Sequence, residues 1–447
     1  MEDPPAIPPE AKDKSMLGPA GFFLLCALML SGYLNDWSFR LLGGKAYLST
    51  ICIVLVPAVW LMGGNTMAGF RDRMGVWWLA FLGLMLMGVP FSYWRSESLS
   101  MIWTYSFRSL AYYFYIVSFC TTLRRCRTMM LVNIACQVIV LLTCLLFGAN
   151  GSETDARFRI ADSLFLSNSN ELALQLLLGI SALMFLFYIG GLWKSIFAVA
   201  GISASVVYIL KTGSRGSLVS ALVLFFVVLW VSRRRIQIVV VTLPLVAIGL
   251  AVIPASSLHR FTLIFDPDPE QSLDVNESAA VGSSKQRQEL LKKGLEYTVT
   301  HPIFGIGMGQ FAVAYTGDAE KKRQHAPWLG SHNSYTQVSA ECGIPAFTCY
   351  MAILVLTFRR SWQVYKRAAR KPQLHEIKGL AFCLAAGVIV YSIGTFFFHM
   401  AYTVLLPLLA GQAVAISRAA EPVLAAAERR RTPARASLDP APAAVIT

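Results

Sequence analysis

The 447-residue sequence has few charged side chains: Asp, Glu, Lys and Arg together make up only 14% of it, whereas soluble globular domains carry about 25%. Hydrophobic residues make up 55%, which is more apolar surface than a soluble or disordered chain can keep in water. The apolar runs also lack the alternation of a membrane β-barrel, and most are about as long as the ~20 residues that a spanning helix needs. The composition therefore predicts an all-α polytopic membrane protein whose solvent is the lipid bilayer.

Signals for several other classes are missing. The net charge is +14, but the basic residues form short clusters between apolar runs, so we expect no nucleic-acid partner. The nine cysteines lie in or beside apolar segments and form no CxxC pair, which argues against a zinc site. The N-terminus lacks a basic region followed by a cleavage site, so we expect the first helix to be retained.

The hydrophobic runs predict about twelve spanning helices, with one long outward-facing loop between spans 9 and 10. The spans are predicted near residues 17–34, 46–64, 75–94, 103–122, 128–148, 170–192, 195–211, 216–232, 236–254, 333–358, 379–398 and 401–417. Alternate loops carry most of the arginines of the short loops: Arg71, Arg73, Arg124, Arg125, Arg127, Arg233, Arg234 and Arg235. The positive-inside rule then places both termini in the cytoplasm.

This topology divides the chain into five regions. We expect a cytoplasmic N-terminal tail at 1–16, nine spans within 17–254 and a partly helical outer loop at 255–332. Three spans follow within 333–417, and then a disordered cytoplasmic tail at 418–447. A loop as long as 255–332 is usually functional when it is partly ordered.

The outer loop has a predicted helix followed by a turn. The stretch SSKQRQELLKKGLEYTV predicts a helix capped by Ser283 or Ser284. Its apolar residues should share one face: Leu290, Leu291, Leu295 and Val299. The stretch HPIFGIGMGQF, with its repeated glycines, predicts a turn before the tenth span.

Several arginines are predicted at outer helix ends, where they could converge on one phosphate group. Arg215 lies between Gly213 and Gly216, which allow a ligand to approach the backbone at the start of a span. Arg287 lies on the predicted loop helix, and Arg157 and Arg159 lie in ARFRIADS. Each also has a simpler interpretation, as a lipid-headgroup anchor for Arg215 and as an ordinary surface charge for the others.

His332 is the candidate general base, because it lies at the outer mouth of a span in SHNSYTQVSAECGIPAF. A neutral histidine can accept a proton from a hydroxyl group near pH 7. The alternative is that His332 caps the helix. Glu341, within the span, would have to face the bundle and find a partner.

A metal site is the competing hypothesis. Asp266 and Asp268 have the carboxylate spacing of metal-dependent glycosyltransferases, but prolines alternate with them in DPDPE. No further acidic cluster or HxxxH pair supports the site, so a turn is the better interpretation and we expect neither a metal nor a cofactor.

These segments together resemble the O-antigen ligase and polymerase superfamily. The family pattern is a His-Pro-x-x-Gly-x-Gly turn followed by a histidine motif at the start of a helix. Its matches here are His301, Pro302, Gly305, Gly307, His332, Asn333, Tyr335, Glu341 and Gly343. Ser-Arg-Gly at 214–216 also fits, and so does Asn168-Ser169-Asn170, although the family's loop usually has a proline between the asparagines.

The resemblance implies transfer of a glycan from undecaprenyl diphosphate on the periplasmic face of a bacterial inner membrane. Arg215 and Arg287 would stabilise the diphosphate, and His332 would deprotonate the acceptor hydroxyl. The substrate would also be bound by Arg157, Arg159, Asn170, His301, Asn333 and Tyr335. Glu341, Gly305 and Gly307 would orient the site. The reaction would be an inverting single displacement without a metal.

Within this superfamily we favour an O-antigen ligase, for which the donor is undecaprenyl-diphosphate-linked O-antigen and the acceptor is lipid A–core. The large loop between spans 9 and 10 and the compact C-terminal tail favour it. An O-antigen polymerase or a protein O-oligosaccharyltransferase is the alternative within the superfamily. A polysaccharide-lipid flippase is the alternative from another class, but the polar residues gather at one face rather than at the midplane, where transporter sites lie.

Overall fold

The computed structural model describes residues 17–41, 43, 47–63, 65–150, 157–160, 163, 166–252, 275–321, 323 and 328–429. The predicted tail at 1–16, much of the first part of the outer loop, and Asp266 and Asp268 with it, lie outside these residues.

The described part of the chain is built almost entirely from helices. They are α1 (Gly18–Leu41), α2 (Tyr47–Met62), α3 (Met67–Arg71), α4 (Arg73–Gly88), α5 (Arg95–Tyr105), α6 (Ala111–Phe119), α7 (Leu123–Phe147), α8 (Ser169–Leu183), α9 (Leu186–Ile189), α10 (Leu192–Lys211), α11 (Arg215–Val231), α12 (Arg235–Val252), α13 (Val275–Thr300), α14 (Phe311–Lys321), α15 (Ser334–Ala369), α16 (His375–Gly394) and α17 (Leu405–Arg429). Short 3₁₀ helices cover Val89–Phe91 and Pro372–Leu374, and a π-helix covers Ser106–Leu110. One antiparallel ribbon pairs β1 (Ala149–Asn150) with β2 (Phe158–Arg159).

Seven helices of the described chain are long and apolar enough to cross a membrane. They cover Gly18–Asn35, Arg73–Phe91, Leu123–Phe147, Ser169–Ile189, Leu192–Lys211, Ser334–Ala369 and Pro372–Gly394. Ser49–Met62 and Arg215–Val231 are apolar but shorter. The protein is therefore a multi-pass, helical membrane protein, as the sequence predicts. Helices lie near all the predicted spans, whereas the number twelve and the orientation in the membrane stay predictions.

Helix α15 is central to the packing, since it contacts α4, α13, α16 and α17. Glycines allow several helices to approach closely: Gly411 faces Ile116, and Gly394 faces Leu174. Small residues at contacts are typical of membrane helices, because close van der Waals packing rather than apolar burial drives their association.

The loop helix differs from its prediction in both length and orientation. Helix α13 begins at Val275, eight residues before Ser283. Leu290 is fully buried as expected, but Leu295 and Val299 are exposed. The buried face instead includes Gly294, because the absence of a Cβ atom there allows α13 to contact Thr336 of α15. The fit between two helices, which a hydrophobic pattern does not report, decides which face is buried.

The C-terminal part also differs from its prediction. Residues 418–429 were expected to be disordered, but α17 continues through them to Arg429. Ala420 and Leu424 are fully buried, and Arg367 of α15 binds Glu421 and Glu428. Tertiary contacts therefore stabilise a segment that its alanine-rich composition alone does not fix. Residues 430–447 lie outside the described chain.

The two ends of α15 carry contrasting polar groups. At the Asp72 end, the buried carboxylate of Asp72 lies 2.8 Å from Nη2 of Arg360 and 3.1 Å from Nη2 of Arg418. The other end of α15 follows His332 and is called the His332 end. A kink at Gly343, whose φ is 82°, interrupts α15. Since a helix rises 1.5 Å per residue, the 26 residues from Ser334 to Arg360 place the two ends at most roughly 40 Å apart.

Candidate active site at the His332 end

His332 immediately precedes the residue that caps α15. The cap is Asn333, whose Oδ1 accepts the backbone N–H groups of Tyr335 (2.9 Å) and Thr336 (3.1 Å). His332 has a left-handed backbone, with φ of 49°, which a non-glycine residue seldom adopts. Its side chain is therefore not the helix cap, and the capping alternative does not hold.

The His332 imidazole lies against a second histidine. The ring centroids of His332 and His399 are 4.9 Å apart, and the rings meet edge to face at 79°. Burial, the neighbouring His399 and the positive charge of Arg287 lower the pKa of His332 to about 4. Burial also lowers the pKa of His399. Both imidazoles are therefore neutral near pH 7.

The segment that carries His399 is attached to the start of α15. The Ser334 hydroxyl donates to the carbonyl of Phe398 (2.6 Å) and accepts the N–H of Met400 (2.8 Å). The Ser334 N–H donates to the Thr395 carbonyl at 2.9 Å. One serine thus holds both chain neighbours of His399.

Arg215 opens α11 beside the same segment. Gly213 has a φ of 60°, which makes the turn before the helix. A Cβ atom on Gly216 would lie only 2.6 Å from Cβ of Phe397, so a glycine is required for this contact. The two glycines around Arg215 therefore allow the turn and the close packing. The start of α11 contacts Phe397, which lies two residues before His399 in the chain.

Arg157 connects the start of α8 to the turn between α10 and α11. Its Nε donates to the Thr212 carbonyl (3.0 Å), and its Nη2 donates to Oδ1 of Asn170 (2.6 Å). Asn168 caps α8 by accepting the N–H of Asn170 at 2.9 Å. Arg157 and Asn170 therefore lie together beside the turn that leads to Arg215, whereas Arg159 is exposed on β2.

Among the described helices, α8, α11 and α15 begin close to Arg157, Arg215 and His332 respectively. The Arg157 contacts join the start of α8 to the turn before α11, and the contacts of Phe397 and Ser334 join the starts of α11 and α15. Each helix start carries a partial positive charge from its N–H groups. Arg215 is the first residue of α11, and Arg287 is close enough to His332 to lower its pKa. This end of the bundle is therefore electropositive, and we call it the electropositive mouth.

Glu341 fastens the glycine turn to α15. Its Oε2 accepts the N–H of Gly309 (2.9 Å) and its Oε1 accepts that of Phe311 (3.2 Å), where α14 begins. Gly305 and Gly307 have φ values of 69° and 106°, and a Cβ atom on Gly305 would collide with the backbone of Glu341. These contacts suit the orienting role that the sequence suggested for Glu341, Gly305 and Gly307.

Two of the sequence-predicted substrate residues have other contacts. His301 follows the last turn of α13, roughly 20 Å along the helix from Arg287, where its Nδ1 lies 2.9 Å from the Thr300 hydroxyl. Tyr335 donates its hydroxyl to the Ser392 carbonyl at 2.6 Å. The structure therefore gathers Arg287, His332 and the start of α11, but it does not bring His301 to them.

Sequence reasoning missed His399 as a site residue. The only signal was its predicted position on the outer side, between two spans. Nothing in the residues near His399 relates it to His332, which is 67 positions earlier in the chain.

Among the described residues, no group of three His, Cys, Asp or Glu side chains is arranged to hold a metal ion. The Asp266 and Asp268 hypothesis lies outside those residues, and so the structure does not test it.

Comparison with known proteins identifies the central part of the chain. Residues 200–351 match a family described as O-antigen ligase. This part of the chain, residues 200–351, is similar to that family. The resemblance seen in the sequence is thus confirmed, and the matched residues include Arg215, Arg287, His332 and Glu341. A search of curated proteins found no match.

Similarity to this family supports a general statement about activity. Members of the O-antigen ligase family are glycosyltransferase-like enzymes, either ligases or polymerases, with polysaccharide and lipid substrates at a membrane. Arg157, Asn170 and His399 lie outside the matched residues, although they adjoin the same mouth.

Proposed function

We propose that the protein is an O-antigen ligase of a bacterial inner membrane, with the His332 end facing the periplasm. It transfers a glycan from undecaprenyl diphosphate to a sugar hydroxyl of lipid A–core and so completes lipopolysaccharide. The observation that carries the proposal is the juxtaposition of a neutral histidine, an arginine and several helix starts at one end of a family domain.

The electropositive mouth supports binding of a diphosphate. Arg215 and Arg287 can each present a planar pair of N–H donors to phosphate oxygens. The start of α11 adds backbone N–H groups to the same place. Since a diphosphate is already a good leaving group, stabilising its growing negative charge is what the reaction needs from the protein.

His332 supports activation of the acceptor. In one displacement, the acceptor O–H proton passes to the imidazole, the oxygen bonds to the anomeric carbon, and undecaprenyl diphosphate leaves with the electron pair. Attack from the opposite side inverts the anomeric configuration. This sequence requires neither a covalent glycosyl-enzyme nor a metal.

The low pKa of His332 implies that donor binding would make His332 a stronger base. A group with a pKa of about 4 is a weak base near pH 7. A diphosphate at the mouth would bring negative charge close to Arg287 and His332 and would raise the pKa of His332. The base would then become strong only when the donor is bound, which would disfavour unproductive proton transfer.

Purified protein with undecaprenyl-diphosphate-linked O-antigen and a choice of acceptors tests the proposal. We expect lipid A–core to be glycosylated. Extension of the donor glycan itself would identify a polymerase, and modification of a pilin would identify a protein O-oligosaccharyltransferase. Movement of the lipid-linked glycan across a vesicle bilayer, without transfer to any acceptor, would support a flippase and contradict the proposal.

A further inference from the structure

His399 has the contacts of a residue that acts on His332. Its ring meets the His332 ring edge to face at a centroid distance of 4.9 Å. Offset and edge-to-face pairs of rings are favourable geometries, and they restrict the rotation of both partners. A Cβ atom on Gly330 would also lie 3.1 Å from the His399 ring, so the turn before His332 leaves just enough room for the second imidazole.

The position of His399 is fixed independently of the ring contact. Ser334 is fully buried, and its hydroxyl bonds to the backbone on both sides of His399, at Phe398 and Met400. Oε1 of Gln337 accepts the N–H of Ala401 at 3.4 Å. The segment 398–401 is therefore attached to the first turn of the same helix that His332 precedes, so the two histidines share one support.

His332 needs such a support, because its own backbone provides little constraint on its ring. It lies outside α15, in a turn with a φ of 49°, and it is only half-buried. A general base must present one nitrogen to the acceptor hydroxyl within hydrogen-bond reach, and a misplacement of about 1 Å can cost roughly 100-fold in rate.

We propose that His399 is a positioning residue for the reaction, whose ring holds the His332 imidazole in the orientation that accepts the acceptor's proton. The inference rests on the proposed function, in which His332 is the base. The hydrogen bonds of Ser334 to the backbone on both sides of His399 keep His399 in place. His399 itself need not touch either substrate.

Two substitutions separate positioning by the ring from other roles. His399→Ala removes the ring contact, and we expect kcat to fall by roughly 10- to 100-fold while the KM for the donor stays the same. His399→Phe keeps an aromatic ring but no nitrogen, and we expect it to recover most of kcat. His375→Ala is the matched control, because His375 is an exposed histidine at the other end of the bundle.

The pH profile gives a second readout. The groups that act on His332 are Arg287 from α13 and His399 from the segment between α16 and α17. His399→Ala admits water and removes one of these groups, so the acid limb of kcat/KM should move to higher pH. A purely structural loss would lower the rate at every pH without moving the limb.

Selective ¹⁵N-histidine NMR of the purified full-length protein makes the test independent of catalysis. The His332 resonance, assigned by its absence in His332→Ala, should titrate near pH 4 in the wild type and at higher pH in His399→Ala. Ser334→Ala should move it in the same direction but less. If the wild type transfers no glycan, the proposed function fails, but this titration still tests the contact.

Clear outcomes would overturn the inference. His399→Ala with wild-type kcat and an unmoved His332 titration would show that the ring contact has no role. His399→Phe as slow as His399→Ala would show that a nitrogen of His399, and not its ring, is required.

Discussion

The two ends of α15 use charged side chains in opposite ways. At the Asp72 end, one buried carboxylate is enclosed by Arg360 and Arg418 and also caps α4 through the Met74 N–H. Burial alone would raise the pKa of Asp72, but the hydrogen bonds from Arg360 and Met74 and the nearby arginine charges hold it below its usual value. At the His332 end, two imidazoles and Arg287 lie close together, and burial and like charge lower the pKa of His332.

The difference separates a structural site, at the Asp72 end, from the proposed reactive site at the His332 end. Asp72 and its arginines satisfy each other, so the charged state is the stable state and nothing further is required. The groups at the His332 end disfavour each other's charged forms, and a negative ligand would relieve that cost. Shifted pKa values gathered at a mouth of this kind are typical of active sites.

His332→Ala should have the largest effect on transfer. Removing the base should lower kcat by about 10²–10⁴-fold, while the thermal unfolding temperature in detergent stays within a few degrees, because the imidazole does not cap α15. Initial rates and a thermal unfolding curve measured on the same preparation check both parts. Ligation at the wild-type rate would show that His332 is not the base.

The arginine pair should have the next largest effect. Arg215→Ala and Arg287→Ala should each cost about 10- to 100-fold in rate, since a charge-assisted hydrogen bond contributes roughly 1.5–3 kcal/mol. Arg→Lys at either site should still impair the reaction, because lysine keeps the charge but loses the planar pair of donors.

A double-substitution cycle sharpens this prediction. If both arginines serve one diphosphate, the double variant should lose less than the sum of the single losses. Strictly additive losses, or a fully active Arg287→Ala, would mean that the two arginines do not share a ligand.

Acid should slow transfer only at a pH well below the ordinary histidine pKa. Because the pKa of His332 is about 4 in the ligand-free protein, kcat/KM should stay level from pH 7 down to about pH 5. It should fall only as His332 becomes protonated below that. A limb near the ordinary histidine pKa of about 6.5 would show that the groups around His332 do not depress its pKa.

Asp72→Asn should change stability rather than rate. Asparagine keeps an acceptor oxygen but removes the negative charge that Arg360 and Arg418 share, and because both arginines are partly exposed, we expect a loss on the order of 1 kcal/mol. We expect a lower unfolding temperature, with kcat per folded molecule unchanged. A large loss of kcat at full stability would contradict the assignment of the Asp72 end as structural.

Chelation should have the smallest effect. Transfer should proceed at the wild-type rate in excess EDTA, because a diphosphate held by arginines needs no cation. Activity lost on chelation and restored by Mg²⁺ or Mn²⁺ would instead direct attention to Asp266 and Asp268.

The sequence predicted the class of fold well, because apolar runs of membrane length are a strong local signal. It also predicted the turn at Gly305 and Gly307, and that Glu341 would face the bundle and bind a partner. It failed on the buried face of α13 and on residues 418–429. In both places a specific tertiary contact decides the structure. Thr336 packs against Gly294 and sets the buried face of α13. Arg367 binds Glu421 and Glu428 and stabilises residues 418–429 as a helix.

The candidate site was only partly within reach of the sequence. Arg215, Arg287 and His332 were recognisable because motifs and helix ends mark them. His399 was not, since its relation to His332 depends on the hydrogen bonds of Ser334. Arg157 was expected to bind substrate, but its bonds to Thr212 and Asn170 join the start of α8 to the turn between α10 and α11.

The attachment of the glycine turn to α15 has a consequence for how substrates reach the mouth. The hydroxyls of Thr298 and Ser339 are hydrogen-bonded at 2.7 Å and attach α13 to α15. Glu341 binds the end of the glycine turn through the N–H groups of Gly309 and Phe311. To swing away, this part of the loop would have to leave a carboxylate without its backbone donors, which is costly in a buried place. We therefore expect residues 285–311 to stay attached to α15 when substrates bind. If the proposed function holds, the lipid-linked donor would reach the electropositive mouth alongside these residues, from the plane of the bilayer.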